Sequence, residues 1–157
     1  MSTQPVTHNT FVIERLYPAS PERVFAALSD KAIKTRWYAD GRDLAVDQFD
    51  MDFRTGGRDV ARFRMGEKTP FPGTELIYNI TYQDIVPNRR LVYAYSLSFA
   101  GKIISASLVT FELEPAENGT ALQFTEQGAY FEGADGPQIR QQGWNTLLDK
   151  LGAAVKA

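Results

Sequence analysis

The chain contains no cysteine, which excludes disulfide scaffolds, thiol nucleophiles and every cysteine-ligated zinc or iron–sulfur site. It has one histidine, His8, too few for an HExxH metalloprotease or any other site built on two imidazoles. No run approaches the ~18 consecutive apolar residues of a membrane span. The opening MSTQPVTHNT lacks the basic and apolar regions of a secretory signal, so a cytoplasmic location is expected. Charge of one sign is missing too: 17 basic against 19 acidic residues leave a net charge of −2. No global field therefore favours nucleic acid or an anionic membrane. There is no GxSxG, Walker or EF-hand sequence, and Gly56-Gly57 lacks the strand–GxGxxG–helix context of a nucleotide site. No cofactor and no metal are expected.

What is present fits one α+β domain over residues 1–157, with 1–9 expected as a frayed tail. FVIERLY (11–17) is rich in β-branched and aromatic residues and predicts a first strand. Pro18 ends it. Ser20 is placed to cap a helix with Pro21 at its first position, and Asp30 restarts a second short helix through Trp37. From Leu44 to Gly128 the hydrophobic period is two. Phe49/Met51/Phe53, Ala61/Phe63/Met65, Leu76 to Tyr82, Leu91 to Phe99, Val109 to Leu113 and Leu122/Phe124 all alternate with polar residues. Gly56-Gly57, Pro87-Asn88 and Asn118-Gly119 supply turns. This predicts an antiparallel meander with one buried and one wet face. From about Gln138 to Val155 the spacing is helical again, with Trp144, Leu147, Leu148, Leu151 and Val155 on one stripe and Arg140, Asn145, Asp149 and Lys150 on much of the rest. A long terminal helix is the available cover for the apolar face of the sheet.

The order of strand, two short helices, six strands and a long helix resembles the helix-grip fold of the START-like (SRPBCC) superfamily. Its local words resemble one branch, the activator of heat-shock-protein-90 ATPase homologue family. They are the ERLYPASPERVFAALS stretch starting at Glu14, Arg36-Trp37-Tyr38, MDFRTGGR (51–58), DIVPNRRLV (84–92), Gly119-Thr120 and GWNTLLDKL (143–151). The chain departs from the family pattern twice. Ala39-Asp40 stands where a proline often follows the aromatic pair, and Thr125-Glu126-Gln127-Gly128 stands where the last strand often carries a Thr-His-x-Gly word. No histidine chemistry is carried over.

The resemblance implies a curved sheet of about seven strands around the C-terminal helix, with a cavity between them for an apolar or aromatic molecule. If the apolar parity faces inward, Phe63, Tyr78, Tyr82, Tyr93, Tyr95, Phe111 and Phe124 belong to that side. Tyrosine supplies both ring area and a hydroxyl that needs a partner when buried. Trp37 and Trp144 either line the cavity or pack the helices onto the sheet. Glu126 shares the parity of Leu122 and Phe124. It either enters the pocket, where burial would raise its pKa, or is solvated at the mouth if the strand stops at Thr125. Arg54, Arg58, Arg62 and Arg64, with Asp50, Asp52 and Asp59 interspersed, read as a solvated face with ion pairs.

Three functions remain in view. The first is a non-catalytic protein that binds an apolar or aromatic small molecule. The second is a cyclase-, dehydratase- or hydrolase-type enzyme using Glu126 with the pocket tyrosines. The third is a co-chaperone-like module for a heat-shock-protein-90 homologue.

Overall fold

The computed structural model describes residues 6–40 and 43–156. Strand β1 (Thr7–Tyr17) is followed by helices α1 (Pro21–Ser29) and α2 (Lys31–Tyr38). Six strands follow: β2 (Leu44–Met51), β3 (Arg58–Met65), β4 (Glu75–Val86), β5 (Arg90–Phe99), β6 (Lys102–Ala116) and β7 (Gly119–Tyr130). Helix α3 (Pro137–Lys156) ends the chain's described part. The seven strands form one curved antiparallel sheet in the order β1-β7-β6-β5-β4-β3-β2. This is the expected helix-grip architecture.

Local chemistry sets the element ends. Ser20 Oγ accepts from Arg23 N at 3.2 Å, with Pro21 at the first helical position of α1. Asp30 Oδ1 accepts from Ala32 N and Ile33 N at 2.9 and 3.3 Å, which starts α2. Asn88 and Asn118 take positive φ in their turns, as asparagine tolerates. The β5–β6 turn uses Ala100 and Gly101, both at positive φ, the requirement of a tight two-residue hairpin.

One boundary differs from the sequence reading. Thr7–Asn9 are not a frayed tail but the start of β1, paired with Tyr130–Gly128. The reason is that β7 continues past Thr125 to Tyr130 and gives them a partner. Residues 1–5 of the expected tail lie outside the described residues.

The inward parity of the strands makes the core. Phe63, Phe111, Phe124, Ile80, Leu91 and Leu122 are buried, as are Val24, Leu28 and Trp37 from the short helices. Helix α3 closes over this face. Trp144 stacks against Phe124 with ring centroids 4.3 Å apart. Tyr17 Oη donates to Leu148 O at 2.7 Å, tying β1 to the helix. Gly152 allows this approach, since a Cβ there would stand 2.9 Å from the Tyr17 ring. On the outer face, Arg54–Asp52 and Arg64–Asp47 pair at 2.9 and 2.8 Å, as a solvated charged face should.

Phe124 is 0% exposed and packs on Phe111 as well as Trp144. Phe124→Ala is therefore expected to lower the unfolding free energy by about 3–5 kcal/mol, measured by urea denaturation.

Candidate functional site

The concave face is not filled along its whole length. The second half of α3 is packed solid, with Leu148, Leu151 and Val155 buried. The first half borders a cleft of about 580 Å³ between helix and sheet. Ile139, Arg140, Gly143, Trp144 and Leu147 form its helical wall, and Leu76, Tyr78, Ile80, Tyr93, Tyr95, Leu97, Phe99 and Ile104 its floor. Tyr38 closes the end under α2, while Met65, Pro70 and Phe71 stand on the β3–β4 side. Phe71, 54% exposed, leans edge-on against Phe99 at 5.3 Å.

A bulge shapes one side of this floor. Pairing of β5 with β6 shifts from Leu97↔Ser105 to Ser98↔Ile103, which gives β6 an extra residue. Ile104 and Ser105 are consequently both buried, one lining the cleft and the other meeting Arg140. Re-aiming side chains beside a site is what such bulges do.

At this end the wall is polar. Arg140 is 6% exposed. Its Nε and Nη2 donate to the two Asp135 oxygens, both at 2.8 Å. Nη2 also donates to Ser105 Oγ at 2.9 Å. Nη1 donates to Tyr95 Oη at 2.9 Å and Glu126 Oε2 at 3.4 Å. Glu126, 0% exposed, accepts further from Tyr95 (2.9 Å), Ser107 (3.1 Å) and Tyr130 (3.3 Å). Burial pushes its carboxyl above the ordinary value, although Arg140 and the hydrogen bonds from Tyr95 and Ser107 pull it back. Burial also opposes charge on Arg140, but the Asp135 and Glu126 carboxylates outweigh it and keep the guanidinium protonated. Tyr95 is raised well above its usual range by burial and by Glu126, so its hydroxyl stays neutral.

A second buried ion pair lies behind Tyr38 and Tyr93. Lys34 Nζ is 3.3 Å from Asp59 Oδ2, with side-chain exposures of 3% and 0%. Tyr82 Oη donates to the same oxygen at 2.5 Å. The ammonium stands over the rings of Tyr38, Tyr93 and Tyr82, at 5.2, 5.9 and 6.0 Å. Burial lowers the Lys34 pKa, against the pull of Asp59. Among the described residues, Asp59 Oδ1 has no hydrogen-bond partner.

Of the residues singled out from the sequence, Tyr78, Tyr93, Tyr95 and Trp144 border the cleft. Trp144 does so while also packing on Phe124. Phe63, Tyr82, Phe111 and Phe124 face inward but lie in the solid core, because parity assigns a face and not a depth. Trp37 is core as well: it is 1% exposed and its indole N–H donates to Ala27 O at 2.7 Å. Glu126 is inward and not solvated, yet it sits behind Tyr95 rather than on the cleft wall. Asp59 does not belong to the solvated charged face. It shares the parity of Ala61 and Phe63, and Lys34 meets it from α2. Arg140 was missed as a site residue. Its position four before Trp144 on the α3 stripe was the available signal. Asp135, in the loop before α3, gave none.

Two outcomes test these clusters. Folding raises the Glu126 pKa, so the stability it contributes is complete below about pH 4.5, its unfolded value, and is lost as pH rises through the folded value. The Tm of the wild type relative to Glu126→Gln should therefore fall between those limits, as read by thermal melts across pH. Lys34→Met leaves the Asp59 carboxylate buried without its cation and should cost about 3–5 kcal/mol. Adding Asp59→Asn in that background should recover part of the loss in chemical denaturation.

Comparison with known proteins agrees with this architecture. Residues 18–156 match the model of the family described as Activator of Hsp90 ATPase homolog 1-like protein. The structure of the Mll3558 protein from Rhizobium loti is 44% identical, with 96% of this chain and 99% of that chain covered and a TM-score of 0.86. An uncharacterized protein from Rhizobium leguminosarum is 34% identical over 96% of each chain, with a TM-score of 0.88. The AHSA1-like protein from Aeromonas hydrophila shares the fold at 21% identity and a TM-score of 0.68, with 94% of this chain and 92% of that chain covered. No curated protein matches the chain. With its helix-grip sheet, its terminal helix and a family match over nearly the whole length, the chain belongs to the activator of Hsp90 ATPase homologue 1-like family.

Proposed function

We propose that this protein is a START-like receptor that holds an apolar or aromatic small molecule between the sheet and α3, without chemistry of its own. The carrying observation is the cleft itself. Its volume of about 580 Å³ falls within the roughly 300–1,000 Å³ usual for small-molecule sites. Its wall is aliphatic and aromatic apart from tyrosine hydroxyls and the Arg140–Asp135 pair. A few polar groups in an apolar recess are the composition that fixes a ligand's orientation while desolvation supplies affinity.

The enzyme alternative has less support. Glu126 is off the cleft wall, behind the Tyr95 hydroxyl and the Arg140 guanidinium that line it. The chaperone alternative rests on the family's name.

Gly143 provides the test. It lines the cleft on α3, and a Cβ added there meets nothing within 4 Å among the described residues. Gly143→Ala should stabilise the fold by about 1 kcal/mol through helix propensity. Gly143→Phe should project a ring into the recess. The expected result is that wild type enhances the fluorescence of N-phenyl-1-naphthylamine, an uncharged apolar probe, and that Gly143→Phe abolishes the enhancement while its far-ultraviolet circular dichroism is unchanged. Retained binding in that variant would show that the cleft is not the receptor site.

A further inference from the structure

The polar end of the cleft carries information about the ligand's head group. A guanidinium has five N–H donors, and all five of Arg140's are used inside the protein. Two go to Asp135, one to Ser105, one to Tyr95 and one to Glu126. The Tyr95 proton is also committed, to Glu126 Oε1 at 2.9 Å. Arg140 and Asp135 are the charged residues lining the cleft among the described residues. Counting Glu126 behind them, the cluster sums to −1 with that carboxyl ionised and to zero with it protonated. It is never positive. Lys34, behind the Tyr38 and Tyr93 rings, is likewise paired, with Asp59.

A carboxylate or phosphate entering this end would find no free cationic donor. To reach Arg140 it would have to displace Asp135 or Glu126 and leave that carboxylate uncompensated in a desolvated setting. The neutral tyrosine hydroxyls of the lining do not compensate a full charge taken out of water. Acceptor capacity, by contrast, remains. Each Asp135 oxygen takes one bond from Arg140 and retains a lone pair, the side chain is 26% exposed, and it faces the recess. Tyr95 Oη, by contrast, already accepts from Arg140 and also has the Trp144 indole as a hydrogen-bond partner.

Building on the receptor reading above, we infer that the site selects uncharged apolar molecules whose head group donates a hydrogen bond, a phenol or alcohol, and rejects the matching carboxylate. Asp135 receives the donor. Arg140 is a positioning residue that holds the acceptors rather than an anion hook.

The test uses 2-naphthol and 2-naphthoate at pH 7, each displacing N-phenyl-1-naphthylamine from the full chain. Wild type should bind the naphthol at least about tenfold more tightly than the naphthoate. Asp135→Asn removes one of the two carboxylates on Arg140, and the gap should then narrow by about tenfold through a gain in naphthoate affinity. Glu126→Gln removes the other and should shift it in the same direction, which keeps the test decisive if Asp135→Asn does not fold. Equal or tighter naphthoate binding by wild type overturns the inference. So does an unchanged gap in the folded variants. If the fluorophore itself fails to bind wild type, the receptor reading fails first and takes this inference with it.

Discussion

An open sheet with one apolar concave face cannot be left in water, and the rest of this structure follows from how that face is covered. Helices α1 and α2 cap one region, and the second half of α3 seals another through Leu148, Leu151 and Val155. Tyr17 and Gly152 draw the helix close at that end. The first half of α3 carries Gly143, which presents no side chain, and Arg140, whose charge cannot enter an apolar core unaccompanied. The recess lies under that half of the helix.

Burying Arg140 imposes the next constraint. A desolvated guanidinium is tolerated only when its donors are met and its charge is opposed. Asp135 answers from the loop before α3, Glu126 from β7, and Ser105 and Tyr95 from the neighbouring strands. Glu126 in turn draws hydroxyls from Ser107 and Tyr130. The network therefore joins three central strands to the helix and forms one wall of the cleft. The Lys34–Asp59 pair solves a similar problem differently: its cation sits over three tyrosine rings, and one carboxylate oxygen lacks a partner among the described residues. Between the two pairs runs a row of tyrosines, Tyr95, Tyr93 and Tyr82, with successive centroids 6.2 and 6.1 Å apart. Their rings contribute apolar area to the floor and core, and the hydroxyls of Tyr95 and Tyr82 serve the two ion pairs.

Most of the fold is legible in the sequence because its signals are local. Alternation along Leu76–Tyr82, Leu91–Phe99 and Leu122–Phe124 gave strands and their inward faces. Ser20-Pro21 and Asp30 gave helix starts, and the stripe from Trp144 to Val155 gave α3. The parity of Glu126 with Phe124 is compatible with an inward turn, but the solvated alternative stays open until β7 is seen to continue to Tyr130. The parity of Asp59 with Phe63 holds the same kind of information, masked by the arginines that surround it in the sequence.

The candidate site was less legible, for a physical reason. Periodicity reports which side of a strand a residue occupies and nothing about its depth under a helix packed from far along the chain. Phe111, Phe124 and Tyr82 share a face with Tyr93 and Tyr95, yet only the last two reach the recess, because the approach of α3 and the short helices fills the remainder. The bulge at Ile104, the loop position of Asp135 and the pairing of Lys34 with Asp59 are outcomes of long-range packing. Alternation, caps and turns are encoded within a few residues and can be read there. A hollow exists only where distant segments fail to meet, so its walls and charge balance emerge when the chain closes on itself.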